Sequence, residues 1–208
     1  MKLSPLLKNV EKYYTEKVSA HGCTARGADW KSEDSQRMRF EQLLRLKRPD
    51  GSFTINDYGC GYGALVDFLE GQNAVFHYRG FDVSQEMIVR ARRAHVGNAH
   101  CEFFSEKALL SPADYTVASG IFNVKLETPE SEWLAYVLET LREFKNLSRK
   151  AFAFNALTSY SDKELMRPDL YYANPLDLFD YCKKNLSTMV SLLHDYPLYE
   201  FTIVVQMT

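Results

Sequence analysis

The sequence has few cysteines, no long apolar run and almost no excess of charge of either sign. Its four cysteines are far apart and form no C-x-x-C pair, so neither a zinc site nor a disulfide framework is indicated. No run of about 18 apolar residues is present to span a bilayer. The first residues lead into charged, tyrosine-rich sequence rather than the apolar segment of a signal peptide. We therefore expect a reduced protein in the cytoplasm.

The balance of charge argues against two classes of partner. With 25 Lys and Arg residues against 27 Asp and Glu residues, the formal net charge is −2. No broad basic excess indicates binding to nucleic acid or to an anionic membrane surface. No cluster of histidine and acidic residues has convincing metal-ligand spacing, so no metal is expected. We expect a small-molecule partner, no nucleic acid and no membrane, and the sequence leaves the oligomeric state open.

What is present is an ordinary globular composition, with 46% hydrophobic and 25% charged residues in 208. This length predicts a single domain spanning 1–208. Apolar residues at helical spacing predict helices over 5–18 and about 32–48, with Pro49-Asp50-Gly51 ending the second. We interpret 1–50 as a helical N-terminal lid or extension.

From Ser52 onward, β-prone runs alternate with helical patterns, which predicts an α/β core over 51–208. The predicted strands are 53–57, 74–81, 101–104, 115–121, 151–156, 189–193 and 199–205, and the predicted helices between them are 64–70, 85–95, 129–144 and 175–186. Such alternation implies right-handed crossovers and a mainly parallel sheet with helices on both faces. Only five residues separate the last two runs, which permits a hairpin and makes the last strand antiparallel.

Three glycines follow the first predicted strand at alternate positions, after Asp57: Gly59, Gly61 and Gly63. Glycines at a strand-to-helix turn let backbone N–H groups approach a ligand that a Cβ atom would keep away. The helix N-terminus just beyond favours negative charge. The turn therefore predicts a nucleotide-like cofactor. The same residues also fit G-x-G-x-x-G/A, so an NAD-dependent oxidoreductase is the first alternative.

Two features favour a different cofactor. Asp57 stands two residues before the first glycine, where a pyrophosphate-binding turn gains nothing from a carboxylate, and the sheet closes with an antiparallel hairpin. The segment 57–63 resembles motif I of class I S-adenosylmethionine (SAM) dependent methyltransferases. The segment 80–88, with Asp82 followed by Ser84-x-x-Met87, resembles their second signature. This resemblance covers roughly 52–208. It implies an α/β fold with a doubly wound, Rossmann-like, seven-stranded, mainly parallel sheet whose antiparallel last strand is inserted beside the fifth.

The resemblance implies roles around SAM and its product S-adenosylhomocysteine (SAH). Asp57 would pair with the ammonium of the methionine end, and Asp82 would accept hydrogen bonds from the ribose diol. Val83 and Met87 would enclose the adenine. The family often has an aspartate after the third strand, where this chain has Ser105-Glu106. The predicted cofactor-binding residues are Asp57, Gly59, Gly61, Gly63, Asp82, Val83, Met87, Ser105, Ser119, Gly120 and Trp30.

Methyl transfer from a sulfonium is an in-line SN2 displacement, in which the protein mainly aligns a nucleophile about 3 Å from the methyl group. A base helps when the acceptor is a hydroxyl. The candidate catalytic residues are His194 after the sixth predicted strand, His21 in the N-terminal loop, and Asn123 after the fourth. The segment Phe122-Asn123-Val124-Lys125 contains no proline, which distinguishes it from the corresponding segment of enzymes methylating amino groups of nucleic-acid bases.

Two further segments are expected near the methyl group. The N-terminal region, with Arg26, Trp30, Gln36 and Arg39, would close over SAM or contact its carboxylate, and the long segment 157–174 would line an acceptor pocket. Together these observations predict a SAM-dependent methyltransferase acting on an oxygen or nitrogen of a small molecule. A non-catalytic SAM-binding scaffold or partner subunit is the second alternative.

Overall fold

Two helices precede the sheet in the computed structural model, which describes residues 4–46 and 51–207. Helix α1, Pro5–His21, begins where the Ser4 side chain accepts a hydrogen bond from the Leu7 N–H, and it ends at Gly22. Helix α2, Glu33–Leu43, begins with Ser32 and Ser35 capping each other. Both predicted helices are confirmed, although α2 ends at Leu43. The predicted continuation of this helix is wrong over 44–46, which form a turn and a bend, and residues 47 and 48 lie outside the described residues, as do Pro49 and Asp50.

Seven strands form one sheet, in the order β3-β2-β1-β4-β5-β7-β6. The strands are β1 Phe53–Tyr58, β2 Phe76–Phe81, β3 Cys101–Phe104, β4 Ala113–Ala118, β5 Ser148–Leu157, β6 Met189–Leu193 and β7 Glu200–Gln206. The first five pair in parallel. Strand β7 lies between β5 and β6 and is antiparallel to both. The predicted sheet and its inserted antiparallel last strand are confirmed.

The fourth strand needs a correction. The β-prone run predicted a strand over 115–121, whereas β4 spans Ala113–Ala118. Gly120 has a φ of 72°, which takes the chain out of the extended conformation. Ser119, Gly120 and Ile121 therefore lie in the turn after the strand, where side chains face a ligand site rather than a neighbouring strand.

Helices cover both faces of the sheet, as predicted. The remaining helices are α3 Ala64–Gly71, α4 Gln85–Ala94, α5 Glu130–Leu147 and α6 Pro175–Asn185. One core joins α1, α5 and α6 to the sheet around the fully buried Trp133 and Phe144. The other joins α2, α3 and α4 to the opposite face around Leu65 and Ile88. In such sheets ligands bind beyond the carboxyl ends of the strands, which we call the carboxyl edge.

No helix in the described ranges is long and apolar enough to cross a bilayer.

Candidate functional site

Strand β1 brings a buried carboxylate to the carboxyl edge. Asp57 is 4% exposed, and the hydroxyl of Tyr78 on strand β2 donates a hydrogen bond to its Oδ2 at 2.7 Å. Burial raises the pKa of Asp57 to about 7, since it outweighs the opposing hydrogen bond from Tyr78, and the nearby Asp82 raises this pKa further. No lysine, arginine or histidine of the described residues contributes to its titration, so this carboxylate is buried without a cation.

The glycine turn follows at once. Gly59, Gly61 and Gly63 all have positive φ, at 85°, 55° and 91°. A Cβ atom on Gly59 would lie 2.2 Å from Cγ2 of Ile121, so only glycine allows this close approach to the β4 turn. Two hydrogen bonds hold the turn against the end of strand β2: the N–H groups of Gly59 and Cys60 both donate to the Phe81 carbonyl.

A second buried carboxylate lies beside the turn. Asp82, directly after β2, is 8% exposed. Its Oδ2 accepts from the Gly61 N–H at 2.9 Å and its Oδ1 from the Ser84 N–H at 2.8 Å. Burial raises the pKa of Asp82 to about 6 against the opposing effect of both N–H groups. Asp82 thus fixes the glycine turn and the start of α4, and no basic side chain in the described part of the chain neutralises it.

The glycine turn, Asp57 and Asp82 line one pocket that the N-terminal helices cover. Helix α1 contributes Leu7, Val10 and Tyr14, and α2 contributes Gln36 and Phe40. Helix α1 is held in place partly by a hydrogen bond of 2.8 Å between the hydroxyls of Thr15 and Ser84. The N-terminal helices therefore form one wall of the site.

Part of the pocket wall is mostly apolar. Val83, Met87 and Ile121 line it together with two tyrosines, Tyr14 from α1 and Tyr136 from α5. Burial raises the pKa of both tyrosines above the ordinary value. Their hydroxyls therefore stay protonated at neutral pH, so they can orient a ligand by hydrogen bonding but cannot act as bases.

The turn after β4 also lines the pocket, through Ser119 and Ile121. Ser119 lines the pocket, and its buried hydroxyl has no hydrogen-bond partner within the described residues. Leaving such a group unpaired costs about 1–3 kcal/mol, so its position favours a ligand that supplies the partner. Trp30 lines the pocket as well, and the tip of its indole lies directly against Gly120.

This contact gives a prediction. In Gly120→Ala, the new Cβ would lie 2.1 Å from Cη2 of Trp30, at a residue whose φ of 72° already disfavours a side chain. We expect the indole to be displaced, seen as a shift in tryptophan emission, together with a loss of stability of at least about 1 kcal/mol. Gly97→Ala is the matched control, because Gly97 has a φ of 84° and open space around its Cβ position. Equal emission from both variants would contradict the contact.

Three residues predicted for the cofactor do not line the pocket. Gly63 caps the N-terminus of α3, and Gly120 contacts Trp30. Ser105, after β3, is half-buried and does not line the pocket. The remaining predicted cofactor residues all line it.

The three candidate catalytic residues lie outside the pocket wall. His194 lies beside the rings of Tyr160 and Phe201, and His21 is exposed at the end of α1. Asn123 links the turn after β4 to β5, since its Oδ1 accepts from the Leu157 N–H at 3.2 Å. Asp195 pairs with Arg45 rather than with His194.

Sequence reasoning missed Tyr14, Tyr78, Ile121 and Tyr136. Tyr78 reaches Asp57 because Gly80, opposite Asp57 in the β1–β2 register, leaves room beside its ring. The helical spacing of Tyr14 placed it on the apolar stripe of α1, which predicted packing against the core rather than contact with a ligand. Tyr136 comes to the pocket from a distant helix, and nothing in its local sequence indicates that position.

No group of three or more histidine, cysteine or acidic side chains within residues 4–46 and 51–207 is arranged to hold a metal ion. The binding features at the carboxyl edge are thus the glycine turn, two carboxylates and an apolar compartment. A seven-stranded sheet with β7 inserted antiparallel beside β5, and this turn after β1, together define the class I methyltransferase fold.

Comparison with known proteins supports the same assignment. The chain is 49% identical over 163 residues to Rv1506c of Mycobacterium tuberculosis, provisionally named a methyltransferase, which covers 78% of this chain and 98% of the relative. The chain therefore belongs to the methyltransferase family. No family model matches it.

Solved structures share the fold at low identity. A DhpI–SAM–HEP complex has a TM-score of 0.66 at 16% identity, covering 98% of this chain and 99% of that one. Magnesium protoporphyrin IX methyltransferase (ChlM) from Synechocystis PCC 6803 with bound SAM has a TM-score of 0.54 at 15% identity, covering 100% and 86%. The [4+2]-cyclase SpnF has a TM-score of 0.65 at 14% identity, covering 91% and 75%.

Proposed function

We propose that this protein uses SAM to methylate an oxygen or nitrogen of a small-molecule acceptor. One observation carries the proposal: Asp57 and Asp82 are buried on either side of the glycine turn, and no basic side chain in the described ranges pairs with either. Two uncompensated carboxylates favour a cationic ligand. SAM carries an ammonium and a sulfonium, and a ribose diol besides.

The pocket suggests how SAM would lie. The ribose diol would donate to Asp82, whose two oxygens each retain a free lone pair beyond the backbone N–H they accept. The adenine would occupy the apolar compartment between Val83 and Ile121, and the methionine end would lie near Asp57 and Ser119. In this arrangement, residues 1–50 act as the lid of a single domain.

In the reaction, the acceptor atom attacks the methyl carbon while the carbon–sulfur bond breaks, and SAH leaves as a neutral thioether. The acceptor's proton passes to a base or to water. Tyr14 and Tyr136 stay protonated and so would orient the ligands rather than remove that proton. The chain would contribute mainly by alignment and by excluding water.

The choice of a small acceptor rests on charge and size. The net charge of −2 offers no track for a nucleic-acid backbone. The two N-terminal helices are packed on the pocket, which leaves little room for a macromolecular surface to reach it.

The NAD alternative gains no support from the N-terminal helix. Tyr13 and Lys17 have the Tyr-x-x-x-Lys spacing of a hydride-transfer pair. Both instead bind Asp29, the tyrosine hydroxyl at 2.6 Å and the lysine Nζ at 2.6 Å. Neither lines the pocket.

The test is transfer of label from methyl-labelled SAM to a library of small metabolites. We expect one labelled class of product, with SAH formed in equal amount, and no product from a variant that cannot hold SAM. Since a cyclase shares this fold, SAM binding alone is not proof of transfer. Tight SAM binding with no labelled product from any acceptor would contradict the proposed reaction and favour the scaffold.

A further inference from the structure

A buried ion pair outside the pocket fixes one of the pocket's aromatic walls. Arg39 on α2 and Glu200 at the start of β7 are 8% and 1% exposed. The Arg39 Nε donates to both carboxylate oxygens of Glu200, at 3.0 and 2.9 Å, and Nη2 donates to Oε1 at 2.5 Å. Nη1 donates to the Ser35 carbonyl at 2.6 Å. All three guanidinium nitrogens are thus engaged within the protein, so the expectation that Arg39 contacts a cofactor carboxylate finds no support.

The face of this guanidinium also packs on an aromatic ring. Its central carbon lies 4.0 Å from the ring centroid of Trp30, whose far edge lies against Gly120. The loop carrying Trp30 is anchored to α1, because Asp29 accepts hydrogen bonds from both Tyr13 and Lys17. The indole is therefore held from several directions while it lines the pocket together with Gly59 and Ser119.

Stability alone does not account for the pair. Burying two charges is costly, and replacing a buried ion pair with apolar residues is often neutral or stabilising. A planar guanidinium that binds a carboxylate at its edge and an indole on its face does something lysine cannot do. The geometry links the position of Trp30 to strand β7, next to the end of β5, where Glu200 pairs with Leu157.

We propose that Arg39, held by Glu200, is a positioning residue that acts through Trp30 to set the methionine end of the cofactor pocket. This inference rests on the proposed function. It adds two residues to the site that do not line the pocket, and it makes affinity for the cofactor depend on a contact between the N-terminal extension and the last strand.

The test is a double-mutant cycle on SAH binding, measured by calorimetry with Arg39→Lys, Trp30→Ala and the pair. Arg39→Lys keeps the charge beside Glu200 but loses the planar stack, and we expect about 10-fold weaker binding. If Arg39 acts through Trp30, the same change in the Trp30→Ala background should alter affinity less than 2-fold. The tryptophan emission should also respond to SAH in the wild type but not in Trp30→Phe, and this response should be reduced in Arg39→Lys.

Two further variants separate positioning from general stability. Arg45→Lys is the matched control, because the exposed Arg45–Asp195 pair, at 2.9 Å, also ties the region of α2 to the β6–β7 connection and contacts no tryptophan. It should change SAH affinity less than 2-fold. Glu200→Gln should weaken binding like Arg39→Lys, and it provides the test if Arg39→Lys does not fold.

The outcomes are distinguishable. Equal losses from Arg39→Lys with and without Trp30, or an unchanged affinity in folded Arg39→Lys, would overturn this inference while the proposed function stands. A wild-type protein that binds no SAH would overturn both.

Discussion

Asp57→Asn is expected to stabilise the unliganded protein and, at the same time, to weaken its binding of SAM by at least 10-fold. Asp57 is ionised at high pH inside an apolar environment, with one hydrogen bond, from Tyr78, to compensate. An asparagine carbonyl can accept the same hydrogen bond without a buried charge. The bound ammonium of SAM, however, would lose its counter-charge.

The size of the effect follows from the pKa. Burial raises the pKa of Asp57 from 3.8 to about 7, and each unit of difference corresponds to about 1.4 kcal/mol. Above pH 7 the ionised side chain therefore costs about 4 kcal/mol. The amide keeps part of that burial cost, so we expect a net gain of about 2 kcal/mol, which is about 4–8 °C in melting temperature for a protein of this size.

The dependence on pH provides a separate check. A carboxyl whose pKa is raised on folding binds more protons in the folded state, so stability falls as pH rises from about 4 to about 7. Asp82, with a pKa of about 6, acts in the same direction over a narrower range. In Asp57→Asn the fall should be smaller and end near pH 6. SAM affinity of the wild type should rise with pH up to about 7 and then level off.

Asp114→Asn is the matched control, because the sign of its effect is opposite. Burial opposes ionisation of Asp114, but hydrogen bonds from Thr54 and the neighbouring Lys150 outweigh it and lower its pKa. This variant should lose stability above about pH 4 and bind SAM normally. If Asp57→Asn were the less stable protein at pH 8, or bound SAM as the wild type does, the role assigned to Asp57 would be wrong.

Asp82→Ala is expected to weaken SAM binding by 10-fold or more and also to destabilise the glycine turn. The change removes acceptors for the N–H groups of Gly61 and Ser84 as well as the proposed ribose contact. Hydrogen bonds to charged groups are worth about 1.5–3 kcal/mol each, which sets the scale of the loss. Thermal unfolding and calorimetric titration of the same samples measure the two effects.

The ribose contact can be separated from the loss of loop structure by the choice of ligand. The wild type should bind SAH more tightly than an analogue lacking both ribose hydroxyls. Asp82→Ala should bind the two ligands with nearly equal affinity. If the variant distinguished them as well as the wild type does, Asp82 would hold the turn but not the ribose.

Most of the fold could be predicted from the sequence, because the patterns that indicate strands and helices are local and repeat along the chain. Alternating strands and helices, and a five-residue connection between the last two strands, were enough to predict the parallel sheet and the antiparallel β7. The error at β4 has a local cause. The run 115–121 begins and ends with β-prone residues, but Gly120 leaves the extended conformation, and Trp30 lies against it.

Only part of the candidate site could be predicted from the sequence. The glycine turn and the two aspartates form short motifs, and the structure places them together in one pocket. Tyr136 and the Arg39–Glu200 pair depend on contacts between residues far apart in the chain, and no local spacing encodes such contacts. The catalytic candidates were chosen by residue type and by their positions after predicted strands or in the N-terminal loop, and none of them lines the pocket.

The most direct test of the central claim is a calorimetric titration of the wild-type protein with SAM and, separately, with NADH. The arrangement of Asp57 and Asp82 around the glycine turn predicts that each chain binds one SAM molecule and that NADH gives no response. Binding of NADH with no response to SAM would contradict the account.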